Sequence, residues 1–240
     1  MAVKRSQSAG RMLKVFETIA ASQPTGVSAL ARDMAADKSA IQRDVMTLAD
    51  AGWIRPATGA PGQWELTPHV LTLARPPHSA DSLRQRARPS LERLRNETGE
   101  TAYLTIPDGD RFVVLDALES NHVLRMVPPV GMVVPLEGSS TARAVLPWLP
   151  DDERARLLGA APTPAQDEEF AATREHGYAV NDGDIAPGVV AMASAVFAKG
   201  GTPIGALVIT GPTDRLPNAR RVEVGALLHR EARLLSGTEG

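Results

Sequence analysis

A chain of 240 residues with 43% hydrophobic and only 4% aromatic side chains has room for two modest domains with aliphatic cores, which excludes wholesale disorder. It contains no cysteine, which excludes disulfides and thiolate metal sites, and no apolar stretch approaches the length of a membrane span. The formal charge of −2 argues by itself against nucleic acid, but its distribution does not: residues 1–75 hold nine Lys/Arg against six Asp/Glu, a net +3, while residues 76–240 hold seventeen against twenty-two, a net −5.

Residues 1–8 carry no periodic pattern and are expected to be disordered. Lys4 and Arg5 are followed by no apolar run, so no signal peptide is expected, and the protein is placed in the cytoplasm. The two cations read as an ordinary terminus rather than a groove-binding arm. From Ala9 to Ala21 a helix is predicted, with Met12, Val15, Phe16 and Ile19 in register. Gln23 to Gly26 breaks it.

Residues 27–53, VSALARDMAADKSAIQRDVMTLADAGW, then predict two short helices around a tight turn. Val27, Leu30, Ala31 and Met34 form the buried stripe of the first, with Ser28 as its expected cap. Asp37 is the expected cap of the second. There Ile41, Val45 and Leu48 fall on one side, and Lys38, Ser39, Gln42, Arg43 and Met46 cluster on the other at about 100° per residue. A cation, a hydroxyl, an amide and a guanidinium on one exposed face at a helix start suit a major groove. Gln42 and Arg43 can make bidentate contacts to base edges. Lys38 and Ser39 sit where phosphate contacts are natural, and Ser28 is expected near a phosphate. Asp44 lies off this face. A solvated face of a protein-binding winged helix is the alternative reading of the same residues.

Gly52 ends the helix. Trp53 to Arg55 and Gln63 to Leu66 predict two strands around the turn-rich stretch Pro56 to Gly62. Arg55 is the only cation of this hairpin and a candidate phosphate contact. Three helices and a hairpin make a winged helix-turn-helix over residues 1–67.

Residues 68–98 are expected to be linker helices, a short one from His69 to Ala74, then a stop at Pro76 and Pro77. Beyond it Leu83, Ala87, Leu91 and Leu94 mark an amphipathic helix restarted or kinked by Pro89. This stripe is a candidate for holding two copies of the chain together. Residues 99–240 predict an α/β domain. Strands are expected at 100–106, 111–118, 123–127, 189–197 and 203–210. Helices are expected at 140–149, at 151–158 capped by Asp151, at 168–176 and at 217–235. The whole is α+β.

Signs of catalysis are thin. His69, His78, His122, His176 and His229 are not paired at metal-ligand spacing, and neither a nucleophile elbow nor a phosphate loop occurs. Asp182 and Asp184 sit two apart in a Gly- and Pro-containing loop and read as solvated turn residues. No catalytic residue, metal or cofactor is therefore expected.

Several words of the sequence, in order and at family-like spacing, resemble the IclR family of bacterial transcriptional regulators. In the head these are SALARDM, KSAIQRDVMTLADAGW and QWELTP. In the body they are ETGETAYL, LRMVPPVG, VPLEGSSTARAVL, HGYAVNDGDIAPGV and GALVITGP. The likeness runs from about residue 8 to 235 and implies a winged helix-turn-helix, a linker helix and a GAF-like effector domain with a mainly antiparallel sheet. It implies a dimer or tetramer on a pseudo-palindromic operator, acting as a repressor of a catabolic operon under a small-molecule effector. A constitutive or architectural DNA-binding protein whose C-terminal domain only oligomerises is the alternative.

The resemblance maps the effector pocket onto Ser139, Ser140 and Thr141 at a helix start, Asn181, and Ala191 with Val208 and Thr210 on the last two strands. Val123 and Val189 add apolar walls. Where relatives that bind small carboxylates carry an acid, a cysteine and a serine, Asn181, Ala191 and Val208 stand here. The family's Gly-Lys pair appears as Ala142 and Arg143. With aliphatic walls and neutral polar groups, the expected effector is a small aromatic or otherwise apolar acid or ester rather than a very small oxidised acid.

Overall fold

The computed structural model describes residues 6–73 and 78–237. Lys4 and Arg5 lie outside the described residues. The chain divides between Pro76 and Pro77 into two compact units.

The first unit opens with α1 (Gln7–Ser22), β1 (Thr25–Gly26), α2 (Val27–Asp33) and α3 (Lys38–Asp50). It continues with β2 (Ile54–Pro56), β3 (Gln63–Leu66) and α4 (His69–Leu73). Residues 6–8 are ordered, against expectation: Ser6 caps α1 by accepting from the Ala9 amide. Val15, Ile19, Leu30, Ile41, Val45, Leu48 and Ile54 pack as one core, so the helical stripes converge as their 3.6-residue periods require. The three strands pair in the order β1-β3-β2, all antiparallel. The expected cap at Ser28 is not formed. The chain enters α2 from β1, which puts Gly26 at the cap position with no side chain to offer and leaves Ser28 exposed inside the helix. Asp37 does cap α3, accepting from the Ala40 amide.

The second unit is a six-stranded antiparallel sheet covered on both faces. Its elements are α5 (His78–Thr98), β4 (Thr101–Asp108), β5 (Arg111–Leu118), β6 (Val133–Val134), α6 (Ser140–Val145), a 3-10 turn (Leu146–Trp148), α7 (Asp151–Leu158), α8 (Pro164–His176), β7 (Ala179–Asp182), β8 (Val189–Phe197), β9 (Pro203–Pro212) and α9 (Asn218–Gly237). The strands run β6-β5-β4-β9-β8-β7. Alternation along them sends Leu104, Met192, Leu207 and Ile209 to the face under α5 and α9. Tyr103, Ala193, Ala206 and Val208 go to the opposite face, with residues of α6 and α8. Burial on both faces is why β8 and β9 read as near-continuous apolar runs.

Four expectations are corrected here. Leu83, Ala87, Leu91 and Leu94 do not await a second chain; they are buried in this unit's own core beneath the sheet. Val123 to Val127 is not a strand. The place beside β5 is taken by Val133 and Val134, and Pro128 and Pro129, which lack an amide hydrogen, interrupt the earlier run. Asp182, read with Asp184 as part of a loop, ends a strand, Ala179–Asp182, which β8 partners along its whole length. Asp151 is the first residue of α7 rather than its cap, and Pro150 holds the cap position.

Two buried carboxylates fasten the helices to each other and to the sheet. Glu100 accepts two hydrogen bonds from Arg215, at 2.5 and 2.8 Å, and Arg215 also donates to the Leu124 carbonyl at 3.1 Å. Glu231 of α9, 1% exposed, accepts from Arg93 of α5 at 2.7 and 3.0 Å. Burial alone would raise the Glu231 carboxyl. Hydrogen bonds from Arg93 and Ser90 and the charges of Arg93 and Arg230 outweigh it, so it titrates below the usual carboxylate range. A depressed folded value contributes stability that is present above the unfolded value, about 4.3, and lost as pH falls through the folded one. Urea melts are therefore expected to show the second unit weakening below about pH 4.5, with a shallower fall in Glu231→Gln. Identical pH profiles for the two proteins would rule this pair out as the cause.

Candidate functional site

Two places gather the chemistry, one in each unit. In the first unit α3 buries Ala40, Ile41, Asp44, Val45 and Leu48. It exposes Lys38, Ser39, Gln42, Arg43, Met46 and Thr47 as one face. Five of the six residues proposed for nucleic-acid contact lie on α2 or α3 and are exposed: Ser28, Lys38, Ser39, Gln42 and Arg43. The sixth, Arg55, sits across β2 and β3 from Glu65, its register partner, with which it forms an ion pair at 2.8 Å. The only cation of the wing is thus neutralised locally, which weakens the expectation that it grips a phosphate.

The exposed face of α3 carries its own hydrogen bonds. The Ser39 hydroxyl donates to Asp37 and accepts from Arg43 at 3.4 Å. The bond from Ser39, followed by that from the Ala40 amide, holds the Asp37 carboxyl below its ordinary range. Arg43 is therefore partly oriented before any ligand arrives, and Ser39 must exchange one bond to meet a phosphate. Asp44, off the face as expected, is buried and paired with Arg11 of α1 at 2.6 Å. Its charge is cancelled where it would otherwise oppose an approaching polyanion.

In the second unit a cavity of about 180 Å³ opens on the face of the sheet that carries α6. Seven of the nine expected pocket residues line it: Ser139, Ser140, Thr141, Asn181, Val189, Ala191 and Thr210. Two do not. Val123 is 98% exposed. Val208, one pleat along β9 from Thr210, is fully buried in the core that packs on this face of the sheet. Ile185 and Ala186, within the stretch from Asn181 to Ala191 that the resemblance maps to the pocket, join the lining; Tyr103, Met126, Val127, Pro128, Met132, Val134 and Pro135 complete it and were not anticipated. The uncharged run Met126 to Leu136 was the available signal for most of them.

The walls are aliphatic, and the lining residues include no charged side chain. The polar groups are few. Ser139 caps α6, accepting from the Ala142 amide at 3.1 Å. Asn181 of β7 donates to the Gly138 carbonyl, tying the strand to the turn before α6. Thr210 donates to the Val190 carbonyl. The Thr141 hydroxyl is buried without a partner, and Tyr103 is 7% exposed. Burial pushes the Tyr103 phenol well above its ordinary value, so it stays protonated and able to donate. A buried hydroxyl without a partner, such as that of Thr141, costs free energy unless a ligand group meets it.

Arg143, on the outer side of α6, reaches Asp184 at 2.7 Å and the Val180 carbonyl at 2.8 Å. This holds the loop 183–188, which contributes Ile185 and Ala186 to the cavity wall. No group of His, Asp or Glu side chains among the described residues is arranged to hold a metal. No helix among them is long and apolar enough to cross a membrane.

Comparison with known proteins places this arrangement. Residues 78–237 match the family model for the C-terminal domain of bacterial IclR transcriptional regulators. The chain is 27% identical over 241 residues to the transcriptional repressor IclR of Escherichia coli strain K12, covering 95% of this chain and 88% of that protein. Its fold is similar to that of an IclR homolog from Microbacterium hydrocarbonoxydans complexed with 4-hydroxybenzoate, with a TM-score of 0.79, 22% identity and coverage of 96% and 98% of the two chains. Thermotoga maritima IclR is similar at a TM-score of 0.75, with 19% identity and coverage of 95% and 97%. The family model spans well over half of the sequence, and the chain belongs to the IclR family of bacterial transcriptional regulators.

Proposed function

We propose that this chain is a cytoplasmic repressor of a catabolic operon. In this reading it binds a pseudo-palindromic operator through α3 and is controlled by a small, mainly apolar carboxylic acid or ester bound in the second unit. Residues 1–67 act as the reading head, 68–98 as connecting helices and 99–240 as the effector domain. One head offers too few contacts for a rare genomic site, so two heads are expected, with half-site centres about one helical turn apart or a multiple of it.

The observation that carries the effector reading is the chemistry of the cavity: aliphatic walls, no charge, and a buried hydroxyl, that of Thr141, without a partner. At about 180 Å³ it lies below the ~300–1,000 Å³ of pockets for drug-sized ligands, which suits a single ring. A glyoxylate-sized acid leaves the walls unused, whereas an aromatic ring buries them at roughly 25 cal/mol per Å² before binding costs. Tyr103 and Thr141 supply donors for a carboxylate or phenol. The M. hydrocarbonoxydans homolog complexed with 4-hydroxybenzoate makes that compound the natural first probe.

The test joins calorimetry to gel shifts. Wild-type protein is expected to bind 4-hydroxybenzoate more tightly than glyoxylate or pyruvate, and the bound acid is expected to change operator affinity. Arg43→Ala should keep ligand binding but weaken operator binding by about 1–3 kcal/mol and relax preference at one base per half-site. Glyoxylate binding without aromatic binding would sink the pocket reading. Operator binding indifferent to every acid tried would favour a constitutive DNA-binding protein. Unchanged selectivity in Arg43→Ala would remove α3 as the reader.

A further inference from the structure

The cavity of the second unit is built without a counter-charge. Among the described residues no Lys, Arg, His, Asp or Glu lines it. Tyr103 is the one titratable lining residue, and burial holds its phenol protonated. The cations nearby in the fold are committed elsewhere. Arg143, the one cation of α6, meets Asp184 at 2.7 Å, Glu169 at 3.4 Å and the Val180 carbonyl at 2.8 Å. Arg125, next to Met126 in the chain, pairs with Glu119 at 2.9 Å, and Arg221 of α9 pairs with Asp182 at 2.8 Å. Behind the turn that precedes α6, Glu137, Glu169 and Asp184 line a second hollow with Arg143, three acids to one cation. The charge around the cavity is therefore balanced or acidic, and it offers nothing to an incoming anion.

The polar groups that face the cavity are neutral, and most are already in use. Thr210 donates to the Val190 carbonyl, and Asn181 to the Gly138 carbonyl. Ser139 closes the start of α6 by accepting from the Ala142 amide. The exception is Thr141, fully buried and with its hydroxyl unpartnered. An acyl oxygen that accepts from this hydroxyl satisfies it at no electrostatic cost. A carboxylate makes the same bond but also brings a full charge among aliphatic walls with no cation to meet it, the costlier exchange. We propose that the cavity selects uncharged ligands: a single-ring aromatic ester or amide whose acyl oxygen accepts from Thr141, in preference to the carboxylate of the same size. This rests on the cavity being the effector site and narrows that reading to one charge state.

The free acid then acquires a pH dependence of its own. An ordinary carboxyl with a pKa of about 4.3 is uncharged in about one molecule in 500 at pH 7, and that fraction falls about tenfold with each further unit. Titration of the surrounding acids, or of His176 on α8, would move a neutral ligand equally, so the amide serves as the control. Calorimetry with 4-hydroxybenzamide and 4-hydroxybenzoate, which match in size, decides between the forms. Near neutral pH the amide is expected to bind at least tenfold more tightly. Between about pH 5.5 and 7.5 the affinity for the acid should fall about 100-fold while that for the amide stays level. Thr141→Val, which keeps the shape and drops the hydroxyl, should weaken amide binding at least fivefold, and Thr141→Ser should restore it. Acid binding as tight as amide binding, or acid binding independent of pH, overturns the selection. Undiminished amide binding by Thr141→Val overturns Thr141 as the anchor. In each of these cases a ring still binds and the effector reading stands, whereas binding of neither compound overturns both.

Discussion

Ala191→Phe is expected to lower affinity for 4-hydroxybenzoate at least 100-fold, about 2.7 kcal/mol, while leaving operator binding intact and no longer responsive. Ala191 sits mid-sheet on β8, opposite Asn181 on one side and Thr210 on the other, and its methyl group lines the cavity. A phenyl ring there occupies the space the ligand ring would take. The backbone of β8 needs no adjustment, because a β-strand accommodates an aromatic residue as well as alanine. Calorimetry and a gel-shift series with and without the acid measure both halves. Ligand affinity equal to wild type would move the binding site elsewhere.

Gly205→Ala is expected to be the most damaging of the conservative changes. A Cβ built on Gly205 would lie 2.3 Å from the Thr105 carbonyl oxygen, next to the pair that Thr105 of β4 makes with Ala206 of β9. The obstacle is backbone in the middle of the sheet, so it cannot swing aside as a side chain would. Overpacking of this kind costs about 3 kcal/mol. Gly200→Ala, in a turn with nothing within 4 Å, is the control and should stay within about 0.5 kcal/mol of wild type. The loss should appear in urea melts of the second unit. A Gly205→Ala transition that overlays the control would mean that the strands relax more freely than a two-sided sheet allows.

What could be read from residues alone follows the range of the interaction concerned. The face of α3 is local: Ile41, Val45 and Leu48 against Lys38, Gln42 and Arg43 need only the helical period, and Asp37 needs only the next three residues. The stripe Leu83, Ala87, Leu91 and Leu94 was equally plain as a helix face. Its partner was not, because Leu207 and Ile209 come from a strand far along the chain. Ala179–Asp182 carries weak strand propensity and is a strand through its pairing with β8 alone. Ser28 failed as a cap because β1 pairs with Gln63 and Trp64 and so fixes where α2 starts.

The candidate pocket divides in the same way. Ser139 to Thr141, Asn181, Ala191 and Thr210 came from motif position and lie together. Val208 shares their strand but sits among Tyr103, Ala193 and Ala206 on the packed part of the same face, where alternation alone cannot tell wall from core. Val123 failed because the run around it is not a strand at all.

The pair between Arg11 and Asp44 bears on how the protein lets go of DNA. It is mostly shielded, with Asp44 only 9% exposed, so mobile ions reach it poorly. A phosphate contact of the kind proposed for Lys38 would instead release counterions and fade steeply with ionic strength. Rising salt should therefore strip the head from its operator long before it loosens α1 from α3. Dissociation and unfolding are then separate events along a salt titration, and the released protein is ready to rebind on dilution.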